Sequence, residues 1–141
     1  MVFEGVFERF PTLQVVATEL GWEWAAPLAW RMDATWRVMR DEVSHLKRKP
    51  SEYFGEHFWF STQPCAEPEN LADFTPLYEQ FTGLFGDHLL FATDYPHWDM
   101  DSPFEAIPPF VELDVKTKIL GTNANTLYRI PLHTPTPVGA N

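Results

Sequence analysis

The sequence carries one cysteine, Cys65, among 141 residues, so no internal disulfide can form and a reducing compartment fits. Cys65 lies in "TQPCAEP", with no neighbouring base to activate it as a nucleophile. Basic residues are also scarce: 10 Lys and Arg stand against 20 Asp and Glu, a formal net charge of −10. That balance excludes sequence-independent nucleic-acid binding, which needs a positive footprint, and disfavours anionic membrane surfaces. No apolar run approaches the ~20 residues of a membrane helix. The early glutamates of "MVFEGVFERFP" do not make a signal peptide. The expectation is a cytoplasmic chain that partners neither nucleic acid nor membrane. A glycine-rich phosphate loop, a nucleophile elbow, a C-x-x-C pair and a His-x-His pair are all missing. His45, His57, His88 and His133 share no metal-ligand spacing.

Apolar material is plentiful. Hydrophobic residues make up 45% of the chain and aromatics 16%, which argues for a packed core and against disorder. "VFEGVFERF" has helical spacing, stopped by Pro11, with its beginning expected upstream of Met1. Residues 13–18, 57–62 and 88–93 are short apolar runs rather than alternating ones, which predicts strands buried on both faces of a parallel sheet. Between them, the spacing predicts a helix from about Glu23 or Pro27 to Val43. "PSEYFGEH" reads as a turn or a single helical turn. A further helix is predicted with Pro76 at its first position and Gly83 as its stop. "SPFEA" reads as a helix start with a capping box. "DVKTKILG" reads as a short helix stopped by Gly121, and "TNANTLYRI" as a second one capped by Thr122. Residues 131–141 read as a proline-rich, disordered tail. Strands alternating with helices imply βαβ units, an α/β fold.

In parallel α/β architectures the chemistry sits at the carboxyl ends of the strands. The exits here are Glu19, Thr62 with Gln63, and Asp94, so two of them carry a carboxylate. Tryptophan-containing loops follow both, "GWEW" and "YPHW". A carboxylate partly enclosed by aromatics can bind a metal or move a proton. Asp94 can equally be a turn residue, since "DYP" is acceptable turn chemistry. His97 is either a site residue or a hydrogen-bonded structural one. Asp99 and Asp101 read as loop and cap residues, lacking the glycine and distal glutamate of an EF-hand.

"LLFATDYPHWDMDSP" resembles the last-strand motif of the amidohydrolase-related (amidohydrolase family 2) metal-dependent hydrolases, a group that includes aminocarboxymuconate-semialdehyde decarboxylase relatives. "GVFERFPTLQVVATELGWEW" and "LAWRMD" resemble that family's segment around the sixth strand. "KILGTNANTLYRI" resembles its closing helix through Asn123, Ala124, Leu127 and Tyr128. The resemblance covers about residues 1–130.

The resemblance implies a (β/α)8 TIM-type barrel holding one divalent metal, zinc above all, at its carboxyl face. Asp94 takes the place of the metal ligand and proton-transfer group. Glu19 stands where the decarboxylase relatives carry a catalytic histidine, and is expected either to support the metal's ligands from behind or to be an acid/base group. Trp22, Trp24, His97 and Trp98 are expected to line the substrate pocket. The family's histidine ligands on the first and fifth strands have no counterpart here. A full barrel takes about 250 residues, so residues 1–130 are expected to be the last three βα units of an incomplete barrel. Metal and small-molecule substrate would then belong to the complete enzyme, a hydrolase or a carbon–carbon lyase, and the isolated chain would be inactive. The alternative is a silent fragment or interaction module that uses two open sheet edges to pair with another chain, either a second copy or a missing N-terminal half.

Overall fold

Three short strands, all of them Val-, Phe- or Leu-rich, set the frame of the molecule. The computed structural model describes residues 1–130, so the expected tail at 131–141 lies outside the described residues. The strands are β1 (Val15–Ala17), β2 (Phe58–Ser61) and β3 (Leu89–Leu90). They form a sheet in the order β1-β2-β3, and both pairings are parallel. Val15 lies opposite Phe58, and Phe60 lies opposite Ala17 on one side and Leu89 on the other. The expected parallel α/β sheet is therefore present, although each strand is shorter than its apolar run.

The helices are α1 (Val6–Arg9), α2 (Ala25–Val38), α3 (Pro50–His57), α4 (Leu71–Phe85), α5 (Leu113–Thr117) and α6 (Asn123–Tyr128). On α2 the buried residues are Ala25, Ala26, Ala29, Met32 and Trp36, one stripe at helical spacing. A 3-10 turn at Arg40–Val43 ends the helical region that the sequence predicts to reach Val43. Helix α3 is two turns long, twice the predicted extent, and its start is fixed from a distance. The Asp33 carboxylate on α2 accepts from the Ser51 N–H at 2.9 Å and from the Ser51 hydroxyl at 2.8 Å. Gly55 lets α3 lie against α4, because a Cβ there would meet the Leu84 carbonyl oxygen at 2.3 Å.

Several predicted boundaries move. Helix α4 begins at Leu71 rather than Pro76, since Asn70 caps it by accepting from the Ala72 N–H at 3.1 Å. Pro76 then lies inside the helix, and the stop is Gly86 at φ 58, not Gly83. At "SPFEA" the Ser102 hydroxyl does meet Glu105, at 2.7 Å, but no helix follows. Pro108 and Pro109 remove donors and disfavour helix just downstream. Gly121 does not stop a helix. It sits in a π-helical turn, Lys118–Thr122, that runs directly from α5 into α6. Thr122 has helical φ and ψ and makes no capping bond.

That continuous helical run also packs along the outer side of β3. The Asn123 amide donates to the Asp87 carbonyl at 2.6 Å and the Leu89 carbonyl at 2.9 Å, and the Phe91 N–H donates to the Ile119 carbonyl at 3.0 Å. Residues 88 and 90 face β2, where their carbonyls accept from Phe60 and Thr62. The backbone groups of Leu89 and Phe91 therefore point to the outer edge of β3, where the closing helical run meets one carbonyl and one N–H. No strand borders the outer side of β1 or of β3 among the described residues, so both sheet edges are without a strand partner, as expected.

Candidate functional site

The site is built where β1 and β3 end. The chain leaves β1 through Thr18 into Glu19, which sits at φ 58, and leaves β3 through Ala92 and Thr93 into Asp94, also at φ 58. A left-handed backbone at a non-glycine residue costs on the order of 1 kcal/mol and tends to collect at functional sites. Both turns are tied down. The Glu19 N–H donates to the Ser61 hydroxyl at 3.1 Å. The Asp94 carbonyl accepts from the His97 N–H at 2.8 Å, which folds the His97 ring back over the Asp94 carboxylate.

Glu19, Asp94 and His97 each offer a ligand atom, and these atoms lie within 4.8 Å of one another. His97 Nδ1 is 3.0 Å from an Asp94 carboxylate oxygen and 3.8 Å from one of Glu19. The Asp94 side chain is 10% exposed, against 60% for Glu19 and 56% for His97, so the aspartate forms the floor and the others the rim. The Asp94 carboxylate raises the proton affinity of His97 above the usual imidazole value, through its hydrogen bond first and its charge second; Glu19 and Asp99 add smaller contributions. His97 is thus hydrogen-bonded to Asp94 and lies beside Glu19.

The expected pocket residues divide. Trp22 is 3% exposed and packs against Phe74, Tyr78 and Phe81 at ring separations of 5.0–6.0 Å, so it belongs to the core and not to a pocket mouth. The reason is that α4 closes over it. Trp98 is 95% exposed and flanks the rim. Trp24 is partly exposed beside Glu19 and Leu20 in an open depression, with its indole N–H on the Leu20 carbonyl at 2.8 Å. Asp101 is a loop residue, as its spacing suggests. Its N–H donates to the Thr93 carbonyl at 3.0 Å and its carboxylate accepts from the Gln63 amide. Burial first, then Glu105, raises its carboxyl above the usual range.

Thr62 and Gln63 form the middle strand's exit, as read from the sequence, but carried no expected role, and Ser61 was not singled out. The available signal was a run of polar residues ending an aromatic strand just before Pro64. The remaining described histidines serve the backbone: His45 bonds the Phe3 carbonyl, His57 that of Leu13 and His88 that of Phe58, at 2.7–3.0 Å. Burial first, and Glu23 second, pushes the Cys65 thiol up, which keeps it protonated and unreactive.

Carboxylates and an imidazole gathered at the carboxyl edge of a helix-covered parallel sheet define an α/β protein with its site at the strand exits. A family model described as amidohydrolase matches residues 1–130, and the chain belongs to that family. The chain is 26% identical over 128 residues to a gamma-resorcylate decarboxylase of Polaromonas sp. (strain JS666), covering 89% of this chain and 37% of that protein. Among solved structures it resembles 5-carboxyvanillate decarboxylase from Sphingomonas paucimobilis, with 28% identity, a TM-score of 0.64, and coverage of 93% of this chain and 38% of that one. A dihydroxybenzoic acid decarboxylase from Polaromonas sp. JS666, solved with manganese and 2-nitroresorcinol, shares the fold at 23% identity and a TM-score of 0.60, over 91% of this chain and 37% of that one. The chain thus spans less than two-fifths of the length of these relatives. The predicted resemblance to the family and its decarboxylases is borne out. Among the described residues no helix is long and apolar enough to cross a membrane.

Proposed function

We propose that residues 1–130 form the last three βα units of a (β/α)8 barrel and carry part of the site of a metal-dependent hydrolase or decarboxylase. The observation that carries this reading is the convergence of Glu19, Asp94 and His97 within 4.8 Å at the strand exits. Two carboxylates and an imidazole fit a divalent ion; carboxylate suits manganese and imidazole suits zinc, so both fit. The manganese of the Polaromonas structure agrees with a divalent ion. Asp94 is the ligand, being the least exposed of the carboxylates, with Glu19 or His97 able to add a second contact. A bound ion supplies Lewis-acid polarisation of a substrate oxygen. Asp94 takes up or delivers the proton at its carboxylate oxygen 3.0 Å from His97 Nδ1, and His97 holds that proton in reserve. Glu19 is the second acid/base group, and His97, Trp98 and Trp24 border the substrate. The named relatives point to an aromatic carboxylate as substrate and to decarboxylation as the reaction.

A catalytic zinc usually takes three protein ligands and a water, and the family's strand-borne histidines are absent from this sequence. The chain alone is therefore a weak metal binder and catalytically silent. Mixing it with a polypeptide bearing the first five of eight βα units tests this. Stoichiometric metal should survive gel filtration only in the mixture, and Asp94→Ala should abolish it. Stoichiometric metal and turnover on the lone chain would sink the proposal. One observation favours an interaction module instead: β1 pairs only with β2 among the described residues, leaving an edge for another chain or copy.

A further inference from the structure

The middle strand contributes no charge to the rim, yet it touches both neighbours that do. Ser61 ends β2 and is buried. Its hydroxyl accepts from the Glu19 N–H at 3.1 Å and donates to the Gln63 carbonyl at 2.8 Å. Thr62, also buried, reaches the other neighbour. Its hydroxyl accepts from the Ala92 N–H at 3.0 Å and donates to the Ala92 carbonyl at 3.2 Å. Ala92 is two residues ahead of Asp94.

We propose that Ser61 and Thr62 are positioning residues that set the spacing between the Glu19 and Asp94 carboxylates. A hydroxyl has a single hydrogen, and in both residues it is committed to a backbone carbonyl. Neither has a proton free for a substrate, so each acts through the backbone it holds. The need is physical: Glu19 and Asp94 both sit at φ 58, a conformation that persists only when the surroundings over-determine it. For Glu19 the Ser61 hydroxyl is the tie that crosses strands. For Asp94 the corresponding tie is the doubly bonded Ala92 two residues upstream. One pair of adjacent hydroxyls therefore fixes both outer exits relative to the same strand. The inference rests on the metal-site reading of the rim.

The test uses isotope-labelled 141-residue chain and manganese ion alone as the probe. Ser61→Ala should speed amide exchange at Glu19 by about fivefold, the weight of one neutral hydrogen bond. The Phe60 amide, which bonds the His88 carbonyl at 3.0 Å, should stay protected and so reports an intact sheet. In wild type, manganese should broaden the Glu19 and Asp94 carboxyl signals together. In Ser61→Ala it should still broaden Asp94 and release Glu19, and Ser61→Thr should restore both readouts. Thr62→Val should instead shift the Asp94 and His97 signals, with Thr62→Ser as its rescue. Unchanged Glu19 exchange and unchanged joint broadening in Ser61→Ala would overturn the proposal. Should Ser61→Ala lose Phe60 protection, Ser61→Cys, with a weaker acceptor of similar size, must show the same selective loss or the proposal falls. If manganese broadens neither carboxyl in wild type, the metal reading fails while Glu19 exchange still decides the positioning role.

Discussion

The two parts of this sheet are built by opposite rules. On its helix face, Phe60 is fully buried and meets the rings of Trp24, Phe54, Phe81 and Phe85 edge-on or tilted at 5.1–6.0 Å. Edge-on aromatic packing of this kind adds to area burial. At the carboxyl edge, a few residues away, two backbone positions lie in the left-handed region and three titratable side chains crowd together. The helix face holds the fold, and the rim carries strain and charge that such a core can support. Stability and chemistry occupy different ends of the same strands.

The largest expected effect lies on the helix face. Phe60→Ala should cost about 3–5 kcal/mol of unfolding free energy, by urea denaturation, because it leaves a cavity among four rings. A loss under about 1 kcal/mol would mean that the core lies elsewhere. The rim should respond in the opposite sense. Glu19→Gly removes a site carboxylate but relieves a positive φ, so stability should stay level or rise by up to about 1 kcal/mol. Glu52→Gly, on the exposed side of α3, should instead cost about 1 kcal/mol. A loss above about 1 kcal/mol at Glu19 would show that the rim does structural work and would blur the contrast.

The smallest effect is a titration. Asp94 raises the proton affinity of His97, so the ion pair is fully present below pH 6.5 and is lost as pH rises through His97's higher folded value. In a ring-proton NMR titration, Asp94→Asn should move the His97 midpoint down toward 6.5. An unchanged midpoint would remove Asp94 as its cause.

How much of this was legible in the sequence follows the range of the interactions. The strand runs, their parallel pairing and the two carboxylate exits are written in short local patterns, and they reappear at Val15–Ala17, Phe58–Ser61 and Leu89–Leu90. Asp94 also carried the family motif. What failed depended on distant partners or on competing neighbours. Helix α3 is extended by an Asp33 cap eighteen residues upstream. The Ser102–Glu105 pair formed without a helix because prolines follow it. Trp22 shares its loop with Trp24, and only the closure of α4 decides which of the two is buried. The roles of Ser61 and Thr62 are invisible in one dimension, since each hydroxyl reaches a different neighbouring strand.

If the rim is a metal site, the ion should bind at Asp94 and at no other acidic cluster. Crystals of the chain soaked in manganese, with data collected at the manganese absorption edge, test it most directly. The expected result is an anomalous peak about 2.2 Å from an Asp94 carboxylate oxygen, the ordinary reach of a carboxylate–metal bond, with Glu19 or His97 as its next protein neighbour. Manganese bound elsewhere with no peak at Asp94 would be the opposite result.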